Sequence, residues 1–497
     1  MAEQCRATPR VSDEGAGRRR RGRRRPVSCA GACLLRQSAH ALRLEASRVT
    51  RPIQALRGDA VTFRADPFDR PSAECLVYQE DALVIIEDGR ITSFGGHAET
   101  RHLLPEGLEP VHYTDCLISA GFVDAHVHYP QMQVIGSYGA ELLDWLTTYT
   151  FVEEQKFADP AHAAMVAGRF LRELLRAGTT TAMVYCTVHP QSVDAFFAES
   201  SLWNTRMIAG KVLMDRNAPA ALLDTAQRGY DESLDLIDRW HGKGRQHYAV
   251  TPRFAPTSTE AQLDAAGALL TTRDDLFLQT HLCENLKEIE WVRELFPARS
   301  SYLDVYAHSG LVGRRSVFGH AVHMHEGDFC ICHQAGAALA HCPTSNLFLG
   351  SGLFPLFEAV DPTRPVRVGL GTDVGGGTSL SQLQTLNEAY KVAALKGRKL
   401  DAIQAFYLAT LGGARALYLD DRIGRIAAGF DADLCVLDLK ATPLIDFRRQ
   451  VCRDITDLLF VLMTLGDDRA VRATWVAGEC VYDRERPEPF RYPAASA

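Results

Sequence analysis

Between residues 118 and 419 short apolar runs alternate with longer stretches whose apolar positions recur every three or four residues. Runs of the first kind read as buried parallel strands, and the second kind as amphipathic helices covering them. Eight strands are predicted: Ala120–Val127, Thr179–Cys186, Arg206–Met214, Tyr248–Arg253, Leu276–Leu282, Ser316–Val322, Ala337–Cys342 and Val366–Thr372. Eight parallel strands, each followed by a helix, close a TIM-type (β/α)8 barrel, for which about 250 residues suffice. One helix is clearly punctuated, with Asp159 as its cap, Pro160 at its first position and Gly178 past its end. Along it Met165, Val166, Phe170 and Leu174 are expected to form a core face.

The flanks have another rhythm. Ala82–Ile86, the turn pair Asp88-Gly89 and Arg90–Phe94 predict a hairpin. At the far end Gly424–Ile426, Gly429–Asp433, Leu434–Leu437 and Ala470–Tyr482 are again strand-rich. The expected architecture is α/β: a barrel over 118–419 beside a small composite β-sandwich domain built from residues 51–117 and 420–485.

Composition changes this picture little. Of the 497 residues, 46% are hydrophobic and 23% charged, ordinary values for a globular enzyme. No run approaches the 18 or so apolar residues of a membrane span. The 13 cysteines form no dense framework and no secretory signal precedes them, so reduced thiols in the cytoplasm are expected. Cys330 and Cys332 are a lone C-x-C pair, too little for a metal site of their own.

Charge is uneven: residues 1–50 hold 12 Arg against 4 acids, a balance of +8, and the net −7 leaves −15 for the rest. The block Arg18–Arg21 and Arg23–Arg25 reads as a self-repelling disordered tail, or as a segment ahead of a misplaced start. It has the composition of an organelle address or nucleic-acid arm, but the acidic remainder holds no nucleic-acid module.

Chemistry in such a barrel belongs at the C-terminal ends of its strands. The first predicted strand ends in Asp124-Ala125-His126-Val127-His128, and side chains two apart share a face. His281 closes the fifth, and Asp373 follows the eighth. Each histidine alone is more often structural, but three imidazoles and a carboxylate at strand ends make a ligand set for Zn²⁺ or Fe²⁺. A carboxylate in Asp373's place can also take a proton from water acidified by the cation. Glu284, three residues past His281, is a candidate proton shuttle or else an acid of a solvated helix start, for which Glu288 and Glu290 are better examples. His320, ending the sixth strand, is a second candidate or a buried supporting histidine. His323, His325 and His341 receive no role.

The motifs then narrow. They are Gly121-Phe122-Val123-Asp124-x-His126-x-His128, with Ala120 where proline is usual, its extension Tyr129-Pro130-Gln131, and Leu143–Leu146. Tyr149–Phe151, Thr251–Thr257, His281–Asn285, Cys342–Leu347 and Gly371–Thr378 complete the set. Together, from Arg51 to Asp483, the chain resembles the guanine deaminases of the amidohydrolase superfamily. The resemblance implies conversion of guanine and water to xanthine and ammonia by a cytoplasmic, usually homodimeric enzyme of purine catabolism. One Zn²⁺ per subunit would be held by His126, His128, His281 and Asp373. Asp373 would also accept the nucleophile's proton, Glu284 would protonate a ring nitrogen and help load the departing amine, and His320 would steady the nucleophile. Gln131 and Arg253 would grip the purine's polar edge and Phe254 would line the pocket, while Trp145 is left as core. Binuclear members carry a lysine at the end of strand four; here Arg253 stands there and Lys211 is on strand three, so a mononuclear site is expected. The rival readings are another mononuclear deaminase of the superfamily, acting on a pterin, triazine, cytosine or adenosine derivative, and a barrel without activity.

Overall fold

A computed structural model describes residues 53–139 and 141–493; the readings of the basic tail lie outside the described residues. Two sheets organise the fold. The smaller takes Gln54–Phe63, Leu76–Glu87, Arg90–Gly96 and Val111–Ala120 from one flank, and Leu434–Asp438, Val471–Val476 and Glu479–Asp483 from the other. The flanks meet where Leu434–Asp438 pairs antiparallel with Val111–Ala120. The expected hairpin is present, its turn made by Asp88 and Gly89 at φ 49° and 77°, the left-handed pair that a two-residue loop requires. Leu56, Val84, Ile118, Val436 and Trp475 join in one apolar cluster across these strands. Gly424–Ile426 is not a strand; Ile426 packs into this cluster, and its N–H donates to the Thr62 hydroxyl at 2.8 Å.

The second sheet is the barrel: Phe122–His128, Thr179–Tyr185, Arg206–Gly210, His247–Pro252, Phe277–Leu282, Ser316–His320, Ala338–His341 and Arg367–Leu370, each parallel to its neighbour. Two expected strands need correction. Ala120 ends a strand of the small sheet and the barrel begins at Phe122. Arg206–Met214 breaks at Lys211 into Arg206–Gly210 and Val212–Leu213.

The circle is closed between the first strand and the loop after the last. Asp373 N–H donates to His126 O and His128 N–H to Val374 O, both at 2.9 Å. Asp124 accepts from the Thr372 N–H at 3.1 Å and from its hydroxyl at 2.5 Å. Inside, Val123, Met183, Ile208, Ala249, Phe277, Val317 and Ala338 meet as one cluster, while their outward neighbours Val184, Met207, Val250, Leu278, Phe318 and Leu339 pack under the helices.

The punctuated helix is Pro160–Arg176, with the Asp159 carboxylate accepting from the Ala161 N–H at 2.9 Å. Val166, Phe170 and Leu174 are buried as expected, but Met165 is 54% exposed. The buried residues lie four apart along one stripe, and Met165, one position earlier, is turned about 100° away from it.

Candidate active site

The first strand aims its two histidines by breaking its own rhythm. Alternation that turns Val123 and Ala125 inward would turn Val127 inward next and both histidines outward. The register shifts between Asp124 and Val127, Val127 packs outside, and His126 and His128 face the barrel mouth. The Asp124 carboxylate holds this irregular stretch, accepting from the His126 N–H at 3.1 Å.

Four side chains converge there. His128 Nε2 stands 3.3 Å from His126 Nε2 and 3.2 Å from His281 Nε2. Asp373 Oδ1 is 3.2 Å from His126 Nε2 and 3.3 Å from His128 Nε2. Ligand atoms arranged tetrahedrally around a zinc ion at about 2.0–2.1 Å stand about 3.3 Å apart. All four residues are buried. Burial disfavours protonated imidazole, pulling His128 down to about 3 and His126 and His281 below the usual histidine value. Burial alone would raise Asp373, but the imidazoles of His320 and His126 outweigh it and hold the carboxyl well below its usual range. His281 Nδ1 bonds the Arg253 carbonyl at 2.7 Å; an oxygen there needs a donor, so Nε2 is left bare. Neutral lone pairs and a carboxylate turned towards one another are the donor set of a divalent cation, and these residues fit one.

His320 also belongs to this neighbourhood. Its ligand atom lies with those of His126, His281 and Asp373 in a group spanning no more than 4.8 Å. That group leaves out His128, whose contacts at 3.2–3.3 Å are nonetheless the tightest. By these distances His128 stands inside the cluster and His320 at its edge. His320 Nδ1 bonds Asn346 Oδ1 at 2.8 Å, and its Nε2 faces Glu284 Oε2 at 3.4 Å and Asp373 Oδ2 at 3.6 Å. Gly319 lies flat beneath the His126 ring, where a Cβ would come within 2.5 Å of an imidazole carbon.

Glu284 is buried, and burial first and the Asp373 charge second push its carboxyl up to about 8. Ser351 donates to its Oε1 at 3.0 Å. Glu288 is the opposite of the solvated acid expected: it is fully buried, and its Oε2 accepts from the N–H groups of Glu284 and Asn285 at 2.9 and 3.1 Å. The Tyr302 hydroxyl donates to its other oxygen at 2.7 Å. The physical reason is a capping box at the start of Leu286–Leu295, which turns Glu288 back onto the chain and fixes Glu284 in place. Glu290 is exposed as expected.

Beside these groups opens a small pocket. Gln131, Arg253 and Phe254 line it; so do Leu142, Leu146 and Trp145, and Trp145 is core as read and also walls this pocket. Arg253 is only 2% exposed, so it is no surface ion pair, and its Nη1 donates to both oxygens of Glu154 at 2.9 and 2.8 Å.

The amidohydrolase family model matches residues 117–481. The chain belongs to the amidohydrolase family. It is 48% identical over 434 residues to the guanine deaminase of Escherichia coli (strain K12), covering 87% of this chain and 98% of that protein. A probable guanine deaminase of Deinococcus radiodurans is 41% identical over 428 residues, 85% of this chain and 97% of its own. Among solved structures, guanine deaminase from C. acetobutylicum with bound guanine in the active site superposes with a TM-score of 0.78 at 27% identity, covering 87% of this chain and 100% of that one.

In this amidohydrolase Lys211 is no ligand: it is fully buried and paired with Asp224, and with Glu232 at 3.3 Å. Cys330 and Cys332 sit on the helix Glu326–Ala335, outside the cation group. Sequence reasoning gave no role to Glu154, Ser351 and Asn346, which lie on helices and loops after the strands rather than on the strands themselves. For Glu288 the spacing Asn285-x-x-Glu288 was the available signal.

Proposed function

We propose that this amidohydrolase hydrolyses guanine to xanthine and ammonia, with one divalent cation held by His126, His128, His281 and Asp373. What carries the reading is the 48% identity that spans 98% of the E. coli guanine deaminase. The imidazole-rich set favours zinc and also accommodates ferrous iron. When bound, such a cation supplies the Lewis acidity that makes water a nucleophile at neutral pH.

The chain's own groups handle everything else. Arg253 and Gln131 bind the purine's polar edge, and Phe254 and Trp145 wall the ring against water. Asp373, kept ionised by its histidines, takes a proton from the water that adds to C2. Glu284, protonated below pH 8, gives its proton to a ring nitrogen as charge builds on the ring. His320, its tautomer set by Asn346, faces both carboxyls and steadies the nucleophile. The proton held by Asp373 then passes to the exocyclic amine, which leaves as ammonia, while the ionised Glu284 takes the proton of the new C2 hydroxyl as the C2 carbonyl forms. The ring nitrogen keeps the proton it received and both carboxyls are restored.

Among the described residues no helix is long and apolar enough to cross a membrane. A cytoplasmic homodimer serving purine catabolism extends the reading, and exposed Leu444, Phe447 and Val451 offer an apolar face for self-association. The test is a panel of guanine, a pterin, a triazine, cytosine and adenosine. Xanthine formation at a kcat/KM well above every other substrate is expected. Preference for another ring would overturn the substrate while leaving the family intact.

A further inference from the structure

One fully buried carboxylate touches both purine-holding residues without lining the cavity itself: Glu154, at the end of the short helix Phe151–Glu154. Its Oε1 accepts from Arg253 Nη1 at 2.9 Å and from Gln131 Nε2 at 3.2 Å, and its Oε2 accepts from the same Nη1 at 2.8 Å. On the other side of the Gln131 amide, the Gly375 N–H donates to Oε1 at 3.0 Å. These contacts fix which end of the amide carries the donors, because a flipped amide would set carbonyl against carboxylate and NH₂ against N–H. On Arg253 only Nη1 is engaged. The Nε and Nη2 donors have no hydrogen-bond partner among the described residues, while the guanidinium carbon lies 5.3 Å from the Phe151 ring centre.

We propose that Glu154 is a positioning residue that sets purine specificity, by fixing the Gln131 amide and neutralising the Arg253 guanidinium. The cavity then presents oriented donors without net positive charge at that edge, and it favours a neutral purine over an anionic one. Xanthine is a stronger acid than guanine, so the same pairing speeds product release. The inference rests on guanine as substrate and on Gln131 and Arg253 as the groups that hold it.

Steady-state kinetics of the zinc-loaded Glu154→Gln enzyme, at a mildly alkaline pH where xanthine is ionised, test it. KM for guanine should rise about tenfold with kcat within about threefold of wild type, the pattern of lost binding without lost chemistry. The Ki for xanthine should not rise with it, so Ki/KM falls, and zinc content should stay at the wild-type level. Glu154→Asp keeps the charge but is too short to serve both partners. Its Ki/KM should match wild type while KM rises about threefold, which carries the test if the glutamine variant does not fold. Wild-type KM in a folded variant would overturn the proposal. So would a joint loss of kcat, zinc and thermal stability at constant Ki/KM, the mark of a merely structural role. Wild-type enzyme assayed in parallel separates the readings, since its failure to turn over guanine would sink the substrate rather than the role of Glu154.

Discussion

Inside the barrel Val123, Met183, Ile208, Ala249, Phe277 and Val317 form an apolar layer. At the barrel mouth, on three of these strands, four imidazoles face the carboxyls of Asp373 and Glu284 within a few ångströms and away from water. The apolar layer gains from burial. The polar end is desolvated, and its groups recover that cost through one another, through Ser351 and Asn346, and through the cation they fit. Cys283, His320, Ala321 and Asp373 there have φ of 48°, 74°, 49° and 50°, and such non-glycine positions cost about 1–3 kcal/mol each. Eight other non-glycine residues among those described share the conformation away from the site, Arg315 and Tyr418 beside the apolar layer among them, so such backbone is not peculiar to the polar end.

Four substitutions should separate the two ends. Asp373→Ala removes the proposed ligand and proton acceptor, so guanine turnover should fall at least about a thousand-fold with zinc lost, while the melting temperature tracks the metal-free wild type. Glu284→Gln should cost about 10²–10⁴-fold in kcat/KM with zinc retained. The donor is the protonated acid, so wild-type kcat/KM should hold below pH 8 and fall as pH rises through about 8, and the variant should lack that limb. Gly319→Ala drives a methyl into the His126 ring, and zinc affinity by competition with a chelator should weaken about 10–100-fold. Phe277→Ala strikes the apolar layer, and chemical denaturation should report a loss of about 3–5 kcal/mol with kcat per folded, zinc-bound chain unchanged. A Phe277 variant that lost turnover while staying folded would break the division between the ends.

The barrel was legible because short apolar runs and stretches with apolar positions every three or four residues leave different traces, and because the candidate ligands fall at strand ends. Even so, His126 and His128 point inward only through the irregularity at Asp124–Val127, which alternation alone cannot foresee. Met165 shows the limit on helices, where one position separates core from solvent. Glu154 and Ser351 were invisible for another reason: their partners are 99 and 67 residues away in the chain, and an acid or a serine carries no local sign of such a contact. Glu288 misled because charge suggested solvent, whereas its place in a capping box bound it to the backbone.

The central claim is that three histidines and one aspartate hold a single cation on which guanine hydrolysis depends. Titrating metal-stripped protein with Zn²⁺ while following xanthine formation tests it most directly. The account predicts activity rising from zero in proportion to added zinc and levelling at one equivalent per chain. Turnover of the stripped protein, or a rise continuing to two equivalents, would contradict it.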